Sequence, residues 1–208
     1  MLIEHRGKRP RIHGSAYVAP TATLCGDVTV GPESRILFGA VITAEGGPVE
    51  IGAHCIVMEN AVIRGTRPHP ARLGDHVLVG PRTFLSGCTV EDCAFLAAGA
   101  TVFNLARIGA RAEVRINGVV HVRTTIPADA VVPIGWIAVG SPAEILPPGE
   151  HERIWAVQEP LDFPRTVFGL ERASAGETIM PELTRRYARA LGQHRDDHVL
   201  GRHTSPEL

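Results

Sequence analysis

The sequence contains no apolar run near the roughly 18 residues that a membrane-spanning helix needs, so no membrane partner is expected. Its first residues, MLIEHRGKRPRI, lack the apolar segment of a secretory signal, and the expected compartment is the cytoplasm. An excess of charge is also missing. The 21 Lys and Arg nearly balance the 22 Asp and Glu, for a net charge of -1, which leaves no general electrostatic basis for nucleic acid as a partner. Cysteine is scarce: Cys25, Cys55, Cys88 and Cys93 show no CxxC pairing and are too few for a disulfide framework in 208 residues. They read as small, mostly buried side chains. Aromatic residues make up only 5% of the chain, and Trp155, Phe163 and Phe168 concentrate in one late segment.

What the sequence does have is a period. Apolar residues recur six apart at Val18, Leu24, Val30, Ile36 and Ile42, then Ile51, Val57 and Ile63, then Leu73, Val79 and Leu85. They resume at Val90, Leu96, Val102, Ile108, Val114, Val120, Ile126, Val132 and Ala138, so the breaks are steps of nine, ten and five. Small or β-branched residues follow four positions later, as at Ala22, Ser34, Ala40, Cys55, Ala61, Thr83, Ala94, Ala100, Ala112 and Thr124. A period of six fits neither a 3.6-residue helix nor a long alternating strand. It fits a short strand and a turn, repeated three times per triangular coil, with the apolar residue inside and the small one at the corner. Gly31, Gly52, Gly74, Gly80 and Gly109 follow inward residues, and the expectation is that they relieve the backbone at the bend.

The stretches YVAPTATLCGDVTVG (17–31), LGDHVLVG, LSGCTV and IPADAVVPIGWIAVGSPAEIL resemble the hexapeptide-repeat family of gamma-class carbonic anhydrases, over about residues 10 to 147. The resemblance implies an all-β fold, a left-handed parallel β-helix over residues 1–147, assembled as a homotrimer with sites between subunits. It also implies where zinc ligands would stand. The family's apolar-Gly-His, four residues, His-Gly-Cys segment corresponds to VGPRTFLSGC, which places Pro81 and Ser86 at two histidine positions. The third histidine ends a segment matched by ENAVIR, with Glu59 for its Asp and Arg64 at the ligand position. The family's VIRGD becomes VITAE, with Thr43 replacing the arginine. Pro has no side-chain donor, Ser is a poor ligand and Arg repels a cation. Zinc and carbon dioxide hydration are therefore not expected at these positions, and no metal ligand is assigned.

In place of that chemistry, Arg64 and Ser86 fall at equivalent positions of successive coils, with Arg82 nearby and Glu59 and Asn60 on the preceding turn. These five predict a polar, positively charged pocket for a small anionic molecule, since guanidinium groups bind carboxylate and phosphate bidentately. Ser86 filling a gap beside an ion pair of Arg64, with Glu59 or across subunits, is the plain structural alternative. His54, His76 and Cys93 each lie three residues past an inward apolar residue and should form a ladder. Whether the ladder holds a metal stays open. The loop RGTRPHPAR (64–72) interrupts the repeat and carries His69, and His121 follows the inward Val120. His69, His121 and Ser86 are the candidate catalytic residues. A histidine base would suit a coenzyme A-dependent hexapeptide acyltransferase, and a non-catalytic scaffold or assembly subunit is the third reading.

Prolines in Gly140–Glu150 mark the end of strand pairing. Residues 148–208 then form an extension, whose aromatic segment 154–170 packs on the β-helix flank or on the neighbouring subunit, or covers the pocket. PELTRRYARALG (181–192) predicts a short amphipathic helix with Leu183, Tyr187 and Leu191 on one face. The remainder, with His194, His198 and His203, reads as a frayed tail.

Overall fold

The structure, a computed structural model, describes residues 1–174, 176–201 and 203. The chain winds as a left-handed parallel β-helix of three sheets. Two faces have seven strands each, and the third has ten, because strands from both ends of the chain extend it. Every inward position of the hexad repeat is buried, from Val18 to Ala138, and so are the small residues four positions on. The polar ones among these are satisfied: Ser34 Oγ donates to the Gly52 carbonyl at 2.8 Å, and Thr83 Oγ1 to that of Ala97 at 3.1 Å. Stacked apolar side chains at the roughly 4.8 Å strand spacing thus form the core without a helix.

The glycines act differently from expectation. Positive φ falls instead on non-glycine corner residues, among them His54 (54°), His76 (58°), Arg82 (57°) and Cys93 (60°). Gly31 and Gly52 are required by close approach, because a Cβ on either would sit 2.5 Å from a carbonyl oxygen of the next coil. The left-handed conformation costs an L residue about 1–2 kcal/mol, which the stacked core and the ladder hydrogen bonds on both sides offset.

Strand pairing does not stop at Gly140. Glu144–Leu146 adds an antiparallel strand to Ile137–Val139, since Pro142, Pro147 and Pro148 flank this strand and do not interrupt it. The extension holds two helices rather than one: α1 (His151–Gln158) and α2 (Met180–Leu191). Helix α1 buries Ile154 against Val139 and Leu146. Trp155 does not pack on the flank; it is exposed, with Arg172 over its ring at 5.1 Å.

From α1 the chain runs back along the ten-stranded face as a strap. Phe163 touches Phe103 and His121, α2 follows, and His198–Gly201 pairs antiparallel with Leu2–Glu4 of the first coil. From Ile137–Val139, against which α1 packs, to His198–Gly201 the strap spans eight strand spacings, about 38 Å. Residues 193–201, read as frayed, are instead a docked turn and an edge strand, because the first coil leaves an edge that they complete. Residues 202 and 204–208 of that predicted tail lie outside the described residues. No helix among the described residues is long and apolar enough to cross a membrane.

Candidate functional site

On the ten-stranded face, parallel register places Cys25, Thr43, Arg64 and Ser86 side by side in successive strands. The longer steps in the repeat supply loops at this edge, Glu45–Pro48 and Thr66–Pro70, and the strap lies over them. Together they line a half-open cavity of about 320 Å³. Its floor is Arg64, Ser86 and Asn104, its rim Glu45, Thr66 and Arg67, and its roof Phe163, Phe168 and Tyr187. Rings of Phe103, Phe163, Phe168 and Tyr187 meet edge to face in sequence, at centroid distances of 5.3, 5.8 and 5.7 Å. Such contacts favour a fixed roof over a loose one.

The polar floor is wired. Ser86 Oγ donates to Asn104 Oδ1 at 3.2 Å, and Asn104 Nδ2 donates to Thr66 Oγ1 at 2.8 Å. Gly87 makes this chain fit: its φ is 51°, and a Cβ there would stand 2.7 Å from His69 Cβ and 2.8 Å from Asn104 Nδ2. Arg64 pairs with Glu45 at 3.5 Å, not with Glu59. Glu45 also accepts from Thr43 Oγ1 at 3.4 Å. The Arg64 Nε is the atom that Glu45 faces at 3.5 Å; it is buried and makes no hydrogen bond, a costly state for a charged donor.

Of the predicted pocket residues, Arg64 and Ser86 come together. Arg82, Asn60 and Glu59 do not line this cavity; they form corner turns, where the Arg82 amide donates to the Glu59 carbonyl at 3.0 Å. His69 sits at the loop edge, its pKa lowered by burial and by Arg123. His121 is buried, its Nδ1 unpartnered and its pKa lowered by burial. The His54 and His76 rings do form the ladder, stacked at 4.8 Å and 1°, while Cys93 is exposed beyond them. Among the described residues, the one group of three or more metal-capable donors lies elsewhere, at the first coil. Asn104, Thr66 and Glu45 escaped the sequence reading. The nine- and ten-residue steps next to Glu45 and Thr66 were the available signal; nothing in the repeat marks Asn104.

No family model matches the chain. It is 28% identical to a solved Bacillus cereus structure assigned provisionally to the acetyltransferases, with a TM-score of 0.61, covering 76% of this chain and 88% of that one. A carbonic anhydrase of Geobacillus kaustophilus is 31% identical over 52% of this chain and 60% of its own length. Mitochondrial gamma carbonic anhydrase 1 of Arabidopsis thaliana is 30% identical over 97% of this chain and 75% of its own length. With that extent of likeness on a hexad-repeat β-helix, the chain belongs to the gamma carbonic anhydrase family.

Proposed function

We propose that the protein binds a small organic anion, a carboxylate or comparable oxyanion carrying an apolar part, in the cavity beneath the strap. The observation that carries this reading is the Arg64 guanidinium at the cavity floor, its side chain 34% exposed and held only by a 3.5 Å ion pair from its buried Nε to Glu45. A guanidinium in that state calls for an acceptor. The aromatic roof suits the apolar part, and Thr66, whose hydroxyl donates only at 3.5 Å to the His69 carbonyl, can orient the head group.

The positions that the family resemblance assigns to zinc do not fit the ion. They hold a guanidinium, a hydroxyl already committed to Asn104 and, at Pro81, no donor. No step is routed through zinc at this place. The homotrimer belongs to the same proposal, supported by the exposed Ile56 and Phe95, which flank Leu78 in one outward row of a seven-stranded face. The coenzyme A reading is supported by the likeness to the Bacillus cereus protein alone. His121 as base does not favour it, since that ring is enclosed by Phe103 and Phe163.

Calorimetric titration with acetate, benzoate, bicarbonate, phosphate and coenzyme A tests the proposal. Benzoate should bind more tightly than acetate, and Arg64→Ala should weaken it about tenfold to a hundredfold, the worth of a charged hydrogen bond, with the fold retained by circular dichroism. Unchanged benzoate affinity in Arg64→Ala would exclude this cavity, and tight coenzyme A binding alone would select the acyltransferase reading.

A further inference from the structure

Where the strap ends, four side chains from three distant parts of the sequence meet. His5 follows the first strand, Cys25 belongs to the strand beside it, and His194 and Asp197 lie in the turn Gly192–Asp196 and just after it. One ligand atom from each lies within 4.8 Å of all the others. The Asp197 carboxylate accepts from His5 Nδ1 at 2.6 Å and His194 Nδ1 at 2.8 Å. The Cys25 thiol approaches it at 3.7 Å. The two imidazoles stack at 4.4 Å, with both Nδ1 atoms turned to the same carboxylate. His5 and Cys25 are buried, at 3% and 4% exposure.

We propose that His5, Cys25, His194 and Asp197 bind one divalent transition-metal ion, zinc by preference, which fastens the end of the strap to the first coil. Two imidazoles, a thiol and a carboxylate form a mixed N, S, O set of the kind that zinc takes in tetrahedral geometry, and the thiolate disfavours magnesium and calcium. Bond lengths of about 2.0–2.3 Å imply tetrahedral edges of roughly 3.3 Å between N and O and roughly 3.6 Å between S and O. The sulfur–oxygen separation already matches. The His194 contact, to the same oxygen Oδ2, opens by about half an ångström, and His5 exchanges its hydrogen bond to the other oxygen, Oδ1, for the metal. Binding expels the Cys25 thiol proton, and each neutral imidazole moves its single proton from Nδ1, where it donates to Asp197, to Nε2 so that Nδ1 can ligate; the thiolate and carboxylate then neutralise the divalent ion. The side chains of Asp197 (14%) and His194 (33%) are partly open to solvent and give the ion a way in. The site is separate from the Arg64 cavity and from the positions that the family resemblance assigns to zinc.

The full chain, stripped with a chelator, is titrated with zinc against a chromophoric chelator and separately with cobalt(II). One equivalent per chain is expected. Cobalt should give the intense visible absorption of a tetrahedral site with a thiolate charge-transfer band, and zinc should raise the melting temperature. Cys25→Ser should abolish the charge-transfer band, and His194→Asn, at a partly exposed position that folding tolerates, should weaken zinc by at least about tenfold. His76→Asn and Arg64→Ala should bind as the parent does. Zinc affinity unchanged in His194→Asn, a cobalt spectrum indifferent to Cys25→Ser, or loss of the ion in His76→Asn would each overturn the assignment. Because Arg64→Ala reports on the anion cavity alone, failure of one proposal is distinguishable from failure of the other.

Discussion

Arg64 stands between an acid that balances its charge through Nε and a cavity that its partly exposed side chain lines. Glu45, at 3.5 Å, neutralises the guanidinium without a hydrogen bond to it, and it repels any anion that enters. Glu45→Gln should therefore tighten benzoate binding several-fold, the opposite sign to Arg64→Ala, as calorimetry will read directly. His121 offers a separate test at the same scale. Burial holds its pKa below the usual histidine value, so the unfolded chain takes up a proton at a higher pH than the folded one. Stability is then complete above about pH 6.5, the unfolded value, and falls as pH drops through the lower folded value. The melting temperature should decline between pH 7.5 and 5, and His121→Gln should flatten that slope. His69, lowered by burial and by Arg123, leaves a residual slope that His69→Gln removes.

The strap is the element on which the site depends. Phe163 meets Phe103 and Phe168 edge to face and rests against His121, so Phe163→Ala removes the centre of the roof. It should cost about 2–3 kcal/mol of stability, below the full core value because the ring is only partly buried. Benzoate affinity should fall with it while acetate is little changed, which calorimetry on both anions separates. This element was also the least legible in the sequence. The β-helix announces itself at every sixth residue from Val18 to Ala138, because each coil repeats the same burial. Arg64 beside Ser86 followed from that register alone. The strap has no repeat: α1 buries only Ile154, and His198–Gly201 pairs with residues almost two hundred positions earlier. Donors as far apart as His5, Cys25 and Asp197 carry no spacing signal, since long-range packing and not local pattern joins them.

The whole molecule is a stack in which each coil touches only its neighbours, so the position of a defect along the axis decides its effect. Val79 lies fully buried mid-stack, with its strand paired to that of Val57 on one side and Leu96 on the other. Val132 is as deeply buried, but its strand is the last of its sheet and pairs on one side only, with that of Val114. An aspartate in either place puts a carboxylate into an apolar prism with no donor to meet it. At Val79 the defect interrupts the core in both directions, and Val79→Asp should cost about 4 kcal/mol or more, enough to abolish most of a typical domain's stability. At Val132 the final coil can open to solvent while the coils before it stay stacked, so Val132→Asp should cost distinctly less. Urea denaturation followed by circular dichroism orders the two: the Val132→Asp midpoint should fall nearer the parent's, with a shallower transition as the end coil frays. Equal midpoints for the two variants would show instead that strap and helix unfold as one unit, with the strap tying the last coil to the first.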